Sequence, residues 1–456
     1  MIFFTYEQLD NPYEFRNLID CLDPSNDMHR IGISPVASTL VRKSRNAHDD
    51  SAKYATQVHV VANPPADKKY IFATGVGHAP QQWCGPDTAG NGANENNPAM
   101  RNLFSFIKPD TLRDMQNGKA YFLIDQTHEG YQTSWLWDWF YNTCLEYSVD
   151  PKQIIYLTGN MEANAQYKAW ASSKGLPADM LVIGWPHFEN VIWEVSSGYT
   201  EFGIQNPGKI VYRKLPDFEH HMAYKRIRAG DIKTFNILQK RTRSHRLWFY
   251  KYLFDADLIK NNIVSMNAFD ASQTYMEGRV MQSDDYDRVS VGLPIHPEET
   301  PAGYDPEIFH SHDGWKFILA LNDLTMMQSW CTVVSEASCS DWEGTCFLSE
   351  KTFKPVVCQH PFIIMGSKGS LKHLQKLGYK TFSPYIDESY DELDTWGRME
   401  AVTKEMKRIQ QMPLHLNFEW LSNIEGILKY NFKHMENRTN MYVKTIFDLL
   451  EEHTNK

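Results

Sequence analysis

The run Ala120-Tyr-Phe-Leu-Ile124, followed by Asp125-Gln-Thr-His128-Glu129-Gly130-Tyr131 and then by the helical spacing of residues 134–147, decides the fold of the first half of the chain. A short unbroken apolar run bounded by turn residues reads as a strand buried on both faces, and the longer segment after it as the helix that covers one of them. Outward from this point the unit recurs. Residues 58–62, 70–74, 154–158 and 181–184 read as strands, and 163–173 as a helix. Strands alternating with helices predict an α/β fold with a parallel sheet covered on both faces. Ligands of such sheets sit beyond the C-terminal ends of the strands.

Between residues 205 and 233 the rhythm breaks at Asn206-Pro207-Gly208, Leu215-Pro216 and Ala229-Gly230, which reads as the connection between two lobes. A second alternation follows. Strands are expected at 234–239, 263–266, 331–335, 361–365 and 379–382, and helices from 246 to 254 and from 371 to 377. The tail, 393–411 and 417–451, is helical. The division that results is an N-terminal α/β lobe over 1–225, a second Rossmann-like lobe over 226–415 and a helical tail over 416–456. The stretch AGNGANENN at 89–97 is a loop.

Composition narrows the class. The chain has 456 residues, 42% hydrophobic and 22% charged, which provides a full globular core and excludes wholesale disorder. Its net charge of −10 argues against a broad nucleic-acid-coating surface. Seven cysteines, at 21, 84, 144, 331, 339, 346 and 358, show no C-x-x-C spacing, so neither a zinc site nor a disulfide framework is indicated, and reduced thiols in a cytoplasm fit best. No apolar run is long enough to cross a bilayer, and the first residues lack the basic and apolar regions of a signal peptide.

The chemistry concentrates in Phe347-Leu-Ser349-Glu350-Lys351-Thr-Phe-Lys354-Pro355, continued by Pro361-Phe-Ile-Ile-Met-Gly366. A loop turns into a helix at adjacent Glu350 and Lys351, and Lys354, three positions on, shares a helix face with Lys351. A helix N-terminus with two ammonium groups suits a pyrophosphate. Glu350 can accept two ribose hydroxyls, Ser349 precedes it as a hydroxyl residue, and Gly366 allows close backbone approach. The competing reading is a surface ion pair at an ordinary helix start.

This run resembles the donor-binding signature of the α1,3-fucosyltransferases and their viral and phage relatives. The likeness is specific from Phe347 to Ser389, where Gly378-Tyr-Lys-Thr-Phe-Ser-Pro-Tyr-Ile386 also fits, and loose over 234–382. It implies that Glu350 grips the nucleotide ribose and Lys351 a donor phosphate. It also implies the GT-B arrangement, two Rossmann-like lobes facing a central cleft with the C-terminal helices packing back on the N-terminal, acceptor-side lobe. The family's position for an arginine on the distal phosphate falls on Arg246, ahead of Leu-Trp-Phe-Tyr, with Arg243 and Arg241 as second choices. The expected activity is inverting transfer of a hexosyl or pentosyl group from a nucleotide sugar to an acceptor hydroxyl. No cofactor or metal is required, and in a viral protein the setting is the host cytoplasm.

Such a reaction needs a base for the acceptor proton. The end of the first-lobe strand offers Glu129, then His128 and Asp125; capping of the next helix is the structural alternative. Asn160, His187 and Tyr131, also at strand ends, are expected to meet the acceptor. From Lys209 to Arg246, eleven basic residues stand against three acids, which suits a polyanionic partner. The acceptor is therefore either a glycan or a hydroxymethylated base of viral DNA. A non-catalytic carbohydrate- or DNA-binding protein on the same fold is the rival reading. Asp285-Tyr-Asp287 has the form of a metal-holding D-x-D motif, but Lys351 and Arg246 make a cation unnecessary.

Overall fold

The computed structural model of the chain describes residues 1–5, 40, 54, 56–61, 63–75, 104, 107–127, 130, 135–196, 215–239, 242–269, 271–291, 293–295, 321, 323–339 and 344–455. His128, Glu129, Tyr131, Lys240, Arg241 and the 89–97 loop lie outside them. The chain divides into two compact units. One holds residues 1–190, 201–204 and 437–456, the other 191–200 and 205–436. The expected lobe limit at residue 225 thus falls inside the second unit.

The first unit is built on a six-stranded parallel sheet of β1 (Ile2–Thr5), β2 (Val58–Val61), β3 (Tyr70–Gly75), β4 (Ala120–Gln126), β5 (Ile154–Thr158) and β6 (Leu181–Gly184), in the order β2-β1-β3-β4-β5-β6. Alternate residues supply its two faces. Phe3, Phe72, Phe122, Ile124 and Tyr156 pack with helices α1 (Pro109–Gln116), α2 (Trp135–Glu146) and α3 (Ala163–Lys174). Phe4, Ile71, Tyr121, Leu123, Ile155 and Leu157 form the opposite layer. That layer is closed by the last helix, whose Tyr442, Val443, Ile446, Phe447 and Leu450 keep the i, i+4 spacing of one helix face. Removing Phe447 would cost about 3–5 kcal/mol, the usual range for a buried aromatic.

In the second unit four parallel strands, β7 (Lys233–Leu238), β8 (Ile263–Ser265), β11 (Ser329–Ser335) and β12 (Phe362–Met365), run in the order β12-β11-β7-β8. A two-stranded hairpin, β9 (Tyr275–Met276) and β10 (Arg279–Val280), stands apart from them. The remaining helices of the whole chain, in order and not all in this unit, are α4 (His187–Ser196), α5 (Phe218–Ile227), α6 (Ser244–Asp255), α7 (Ser283–Ser290), α8 (Asp323–Met327), α9 (Glu350–Val357), α10 (Ser370–Lys376), α11 (Thr395–Gln410), α12 (Leu414–Asn440) and α13 (Tyr442–Asn455), the last of which belongs to the first unit. Strand order reverses between β7 and β11, because β8 lies on one side of β7 while β11 and β12 lie on the other. That reversal is where an open parallel sheet leaves a crevice for a ligand.

Three expectations are corrected. Residues 379–382 form no strand: the backbone N–H and C=O of Lys380 bond to the side-chain amide of Asn431 on α12 (2.9 and 2.8 Å), which occupies the place of a neighbouring strand. The tail from 417 to 451 is two helices, parted at Met441. The connection from 205 to 233 contains α5, which carries the fully buried Lys225. Among the described residues no helix is long and apolar enough to cross a membrane.

Candidate functional site

At the carboxyl end of the second sheet the reversal point is occupied by charge. β11 ends at Ser335 and is followed by Glu336, fully buried. After β7, Arg243 and Arg246 stand at the start of α6, and after residue 347 Ser349, Glu350 and Lys351 open α9. Ser349 is the N-cap of α9, its hydroxyl accepting from the Lys351 N–H. Two helix N-termini, each a partial positive pole, therefore converge on one strand end.

The pairings are specific. Arg246 is 3% exposed and its NH2 donates to the carbonyls of Ser335 (3.3 Å) and Glu336 (3.2 Å). Arg243, exposed, donates to the carbonyl of Ala337, and His245 Nε2 to that of Glu336 (3.1 Å). The two arginines thus clamp the turn that leaves β11. Lys351 Nζ pairs with Glu350 Oε1; the lysine side chain is 24% exposed and the glutamate nearly covered. Burial by itself would raise the Glu350 carboxyl, but Lys351 and Lys354 overcome it and hold it below the usual range. Burial brings Lys354 down to about 8 against the support of Glu350, so it stays largely protonated at neutral pH. Arg246 falls to about 10 through burial and then Arg243, and remains charged. Burial, then Arg246 and Arg243, keeps His245 neutral. Arg243, Arg246, Lys351 and Lys354 outnumber Glu336 and Glu350, which leaves the cluster a positive surplus with Lys351 and Arg243 reaching solvent.

Gly366, expected to admit a ligand, sits in a tight place made by the protein itself. A Cβ there would meet Ser370 Oγ at 2.9 Å, Ile364 Cγ2 at 3.1 Å and Glu336 Cγ at 3.3 Å. Glu336 was not singled out from the sequence. Its signal there is an acid placed immediately after the apolar run Cys331-Thr-Val-Val-Ser335.

The residues expected to meet the acceptor lie in the first unit. Asp125, the candidate base, lies near the end of β4, and Asn160 and His187 follow β5 and β6 at the same carboxyl edge of its sheet. Asp125 is fully buried and accepts from Thr127 N (3.0 Å) and Thr127 Oγ1 (2.8 Å). Asn160, also buried, donates to Gln166 Oε1 (2.8 Å) and accepts from Glu162 N (3.1 Å). His187 is 5% exposed at the first turn of α4. Asp125 and Asn160 thus secure the turns that follow their strands. The strand order of this sheet reverses between β1 and β3, at Thr5 and Gly75, beyond which the chain leaves the described residues.

Asp285 and Asp287 lie on helix α7 and not in a loop. Two residues apart on a helix, they point to different faces, and Asp285 is paired with Arg288 (2.8 Å) and Lys251 (3.5 Å). Among the described residues no group of three or more His, Cys, Asp or Glu side chains is placed to hold a metal ion. The described residues of the basic segment 209–246 do not form one patch. Arg243 and Arg246 stand at the carboxyl edge of the second sheet. Lys233 starts β7 at the other edge, near the exposed Arg226 and Arg228, roughly 20 Å away at 3.3 Å per strand residue. There a cavity of about 780 Å³ is lined by Arg228, Asp231, Lys233, Lys260 and Gln328 among others.

Comparison with protein-family profiles and with curated proteins finds no match. Among solved structures, the chain is similar to the N-terminal domain of trehalose-6-phosphate phosphatase from Candida albicans, with a TM-score of 0.43, 10% identity, and coverage of 99% of this chain and 96% of that one. A likeness of that size carries no argument about activity.

Proposed function

We propose that the chain is an inverting glycosyltransferase whose second unit binds a nucleoside-diphosphate sugar at the carboxyl end of its sheet. The observation that supports this reading is the positive surplus at the strand-order reversal, where Lys351, Arg243, Lys354 and Arg246 meet two helix N-termini. A diphosphate is the ligand chemistry that such a site neutralises best. The proposal carries with it the GT-B architecture that the fucosyltransferase resemblance implies.

In this reaction the acceptor hydroxyl attacks the anomeric carbon while the bond from that carbon to the diphosphate oxygen breaks. The configuration inverts, and the hydroxyl proton passes to Glu129. Lys351, reaching solvent, touches the departing diphosphate. Arg246, buried behind it, adds positive charge that costs no reorganisation. Glu350 orients the ribose. No covalent intermediate forms. The acceptor is a glycan or a hydroxymethylated base of DNA, and a base would have to leave the stack to react.

The test is to incubate the pure chain with a panel of nucleotide sugars, with and without EDTA, and to follow nucleoside-diphosphate release and protection from thermal unfolding. One donor is expected both to protect and to be hydrolysed slowly, with EDTA making no difference. Absence of release and of protection with every donor would withdraw the proposal. Complete loss in EDTA with recovery in Mn²⁺ would require a metal site elsewhere in the chain.

A further inference from the structure

Glu336 bonds to every element of the cluster. Its carboxylate accepts from Ser349 N (3.1 Å), Ser349 Oγ and Thr352 Oγ1 in the first turn of α9, and from Ala337 N (3.0 Å). Its carbonyl accepts from Arg246 NH2 and His245 Nε2 in the first turn of α6. Its N–H donates to the carbonyl of Met365 (3.0 Å), the last residue of β12, and its side chain fills the space next to Gly366. A carboxylate held out of water is costly unless hydrogen-bonded, and here four donors satisfy it.

The groups restrained in this way are the ones that would present charge to a ligand. Ser349 caps α9 and is followed directly by Glu350 and Lys351, while Arg246 is held by the same residue's main chain. We infer that Glu336 is the positioning residue of this site: it sets the first turn of α9 against the first turn of α6 so that Lys351 and Arg246 bear on one diphosphate. It touches no ligand itself. The inference rests on the reading of the site as a nucleoside-diphosphate site.

Calorimetric titration of the full chain with GDP, GMP, UDP and UMP tests it. The wild-type chain is expected to prefer the diphosphate of one base over its monophosphate by about tenfold or more, as paired cations on the second phosphate imply. Glu336→Gln keeps the volume but turns one acceptor oxygen into a donor that faces one backbone N–H and one hydroxyl, those of Ser349 and Thr352 at one oxygen or those of Ala337 and Ser349 at the other. The preference should fall to within about threefold while the melting temperature stays within a few degrees. A loss of folded protein would scale both affinities alike and leave their ratio unchanged, so the ratio reports positioning. Thr352→Val, which removes one of the hydroxyl donors, should lower the ratio partway, and it decides the matter if Glu336→Gln does not fold. An unchanged ratio in folded Glu336→Gln, or in Thr352→Val where the first variant is unfolded, overturns the inference. A wild-type chain that binds none of the four nucleotides overturns the diphosphate reading itself and the positioning role with it, and that failure shows in the wild type before any variant is made.

Discussion

The two ends of the second sheet both bury cations, and they treat them differently. At the carboxyl end Arg246 and Lys354 lie beside Glu336 and Glu350, stay ionised at neutral pH, and leave charge over. At the amino end Lys225, fully buried, donates to the carbonyls of Met326 (3.0 Å) and Met327 (2.8 Å), the last residues of α8, and acts on the neighbouring His221 and His360. Burial takes it down to about 7. His221 and His360 lie with ring centroids 5.7 Å apart. Burial and then the Lys225 charge bring His221 to about 3, with Asp217 opposing and His220 adding a little; burial, Lys225 and His221 put His360 well below the ordinary range. A buried cation next to a carboxylate keeps its charge available to a ligand. A buried cation without one is driven toward neutrality, and its surroundings are kept neutral with it. Under the proposed function the first end receives an anion, while the second holds a packed core together.

The largest effect that would break this contrast is expected at Lys351. Lys351→Ala should reduce transfer by about a hundredfold or more, roughly 2.7 kcal/mol of transition-state stabilisation. Its melting temperature should change little, because the side chain is partly exposed and paired only locally. Donor affinity and transfer both within about threefold of wild type would show that the surplus charge has no ligand to serve.

A smaller, opposite effect belongs to the amino end. Histidines whose folded pKa is depressed take up protons only on unfolding, so stability is full above the unfolded value and falls as pH drops below about 6.5. For His221 the loss continues to a folded value of about 3. At pH 5 His221 should cost about 2 kcal/mol. Melting curves from pH 8 to pH 4 should therefore fall on the acid side, and His221→Leu should flatten that limb. The same steepness in the variant would mean that His221 is not buried neutral.

The smallest effect sharpens the separation of the two ends. Reversing Arg226 and Arg228 to Glu should leave nucleotide affinity unchanged within about twofold, since roughly 20 Å of strand lies between them and the cluster. If DNA is the acceptor, the same change should weaken binding of hydroxymethylated duplex at low salt, because fewer phosphates are then neutralised. A gel shift at two salt concentrations, with plain and modified duplex, measures this. No shift of any duplex at low salt leaves a glycan as the acceptor.

Much of the scaffold could be read without coordinates. Residues 154–158 and 181–184 are strands at the expected bounds, and β4 runs two residues longer than its apolar core because Asp125 and Gln126 are buried as well. Strands buried on both faces write themselves as unbroken apolar runs. The failures are equally physical. Residues 379–382 look like a strand, yet an asparagine amide from a helix fifty residues later satisfies that backbone. The spacing of Asp285 and Asp287 does not say which element carries them, and they lie on a helix.

For the candidate site, sequence by itself determined its chemistry: a hydroxyl, a carboxylate and two lysines at a helix start, and arginines after a strand, all of which follow from local spacing. Only the tertiary structure decided that these two segments, about a hundred residues apart, meet at the point where strand order reverses, and that Glu336 joins them. It also decided that the described residues of the basic run 209–246 are divided between opposite ends of one sheet, with Lys225 buried. Local spacing determines which faces neighbouring residues share; the crossover connections of a parallel sheet determine which distant ends come together, and no local pattern records them.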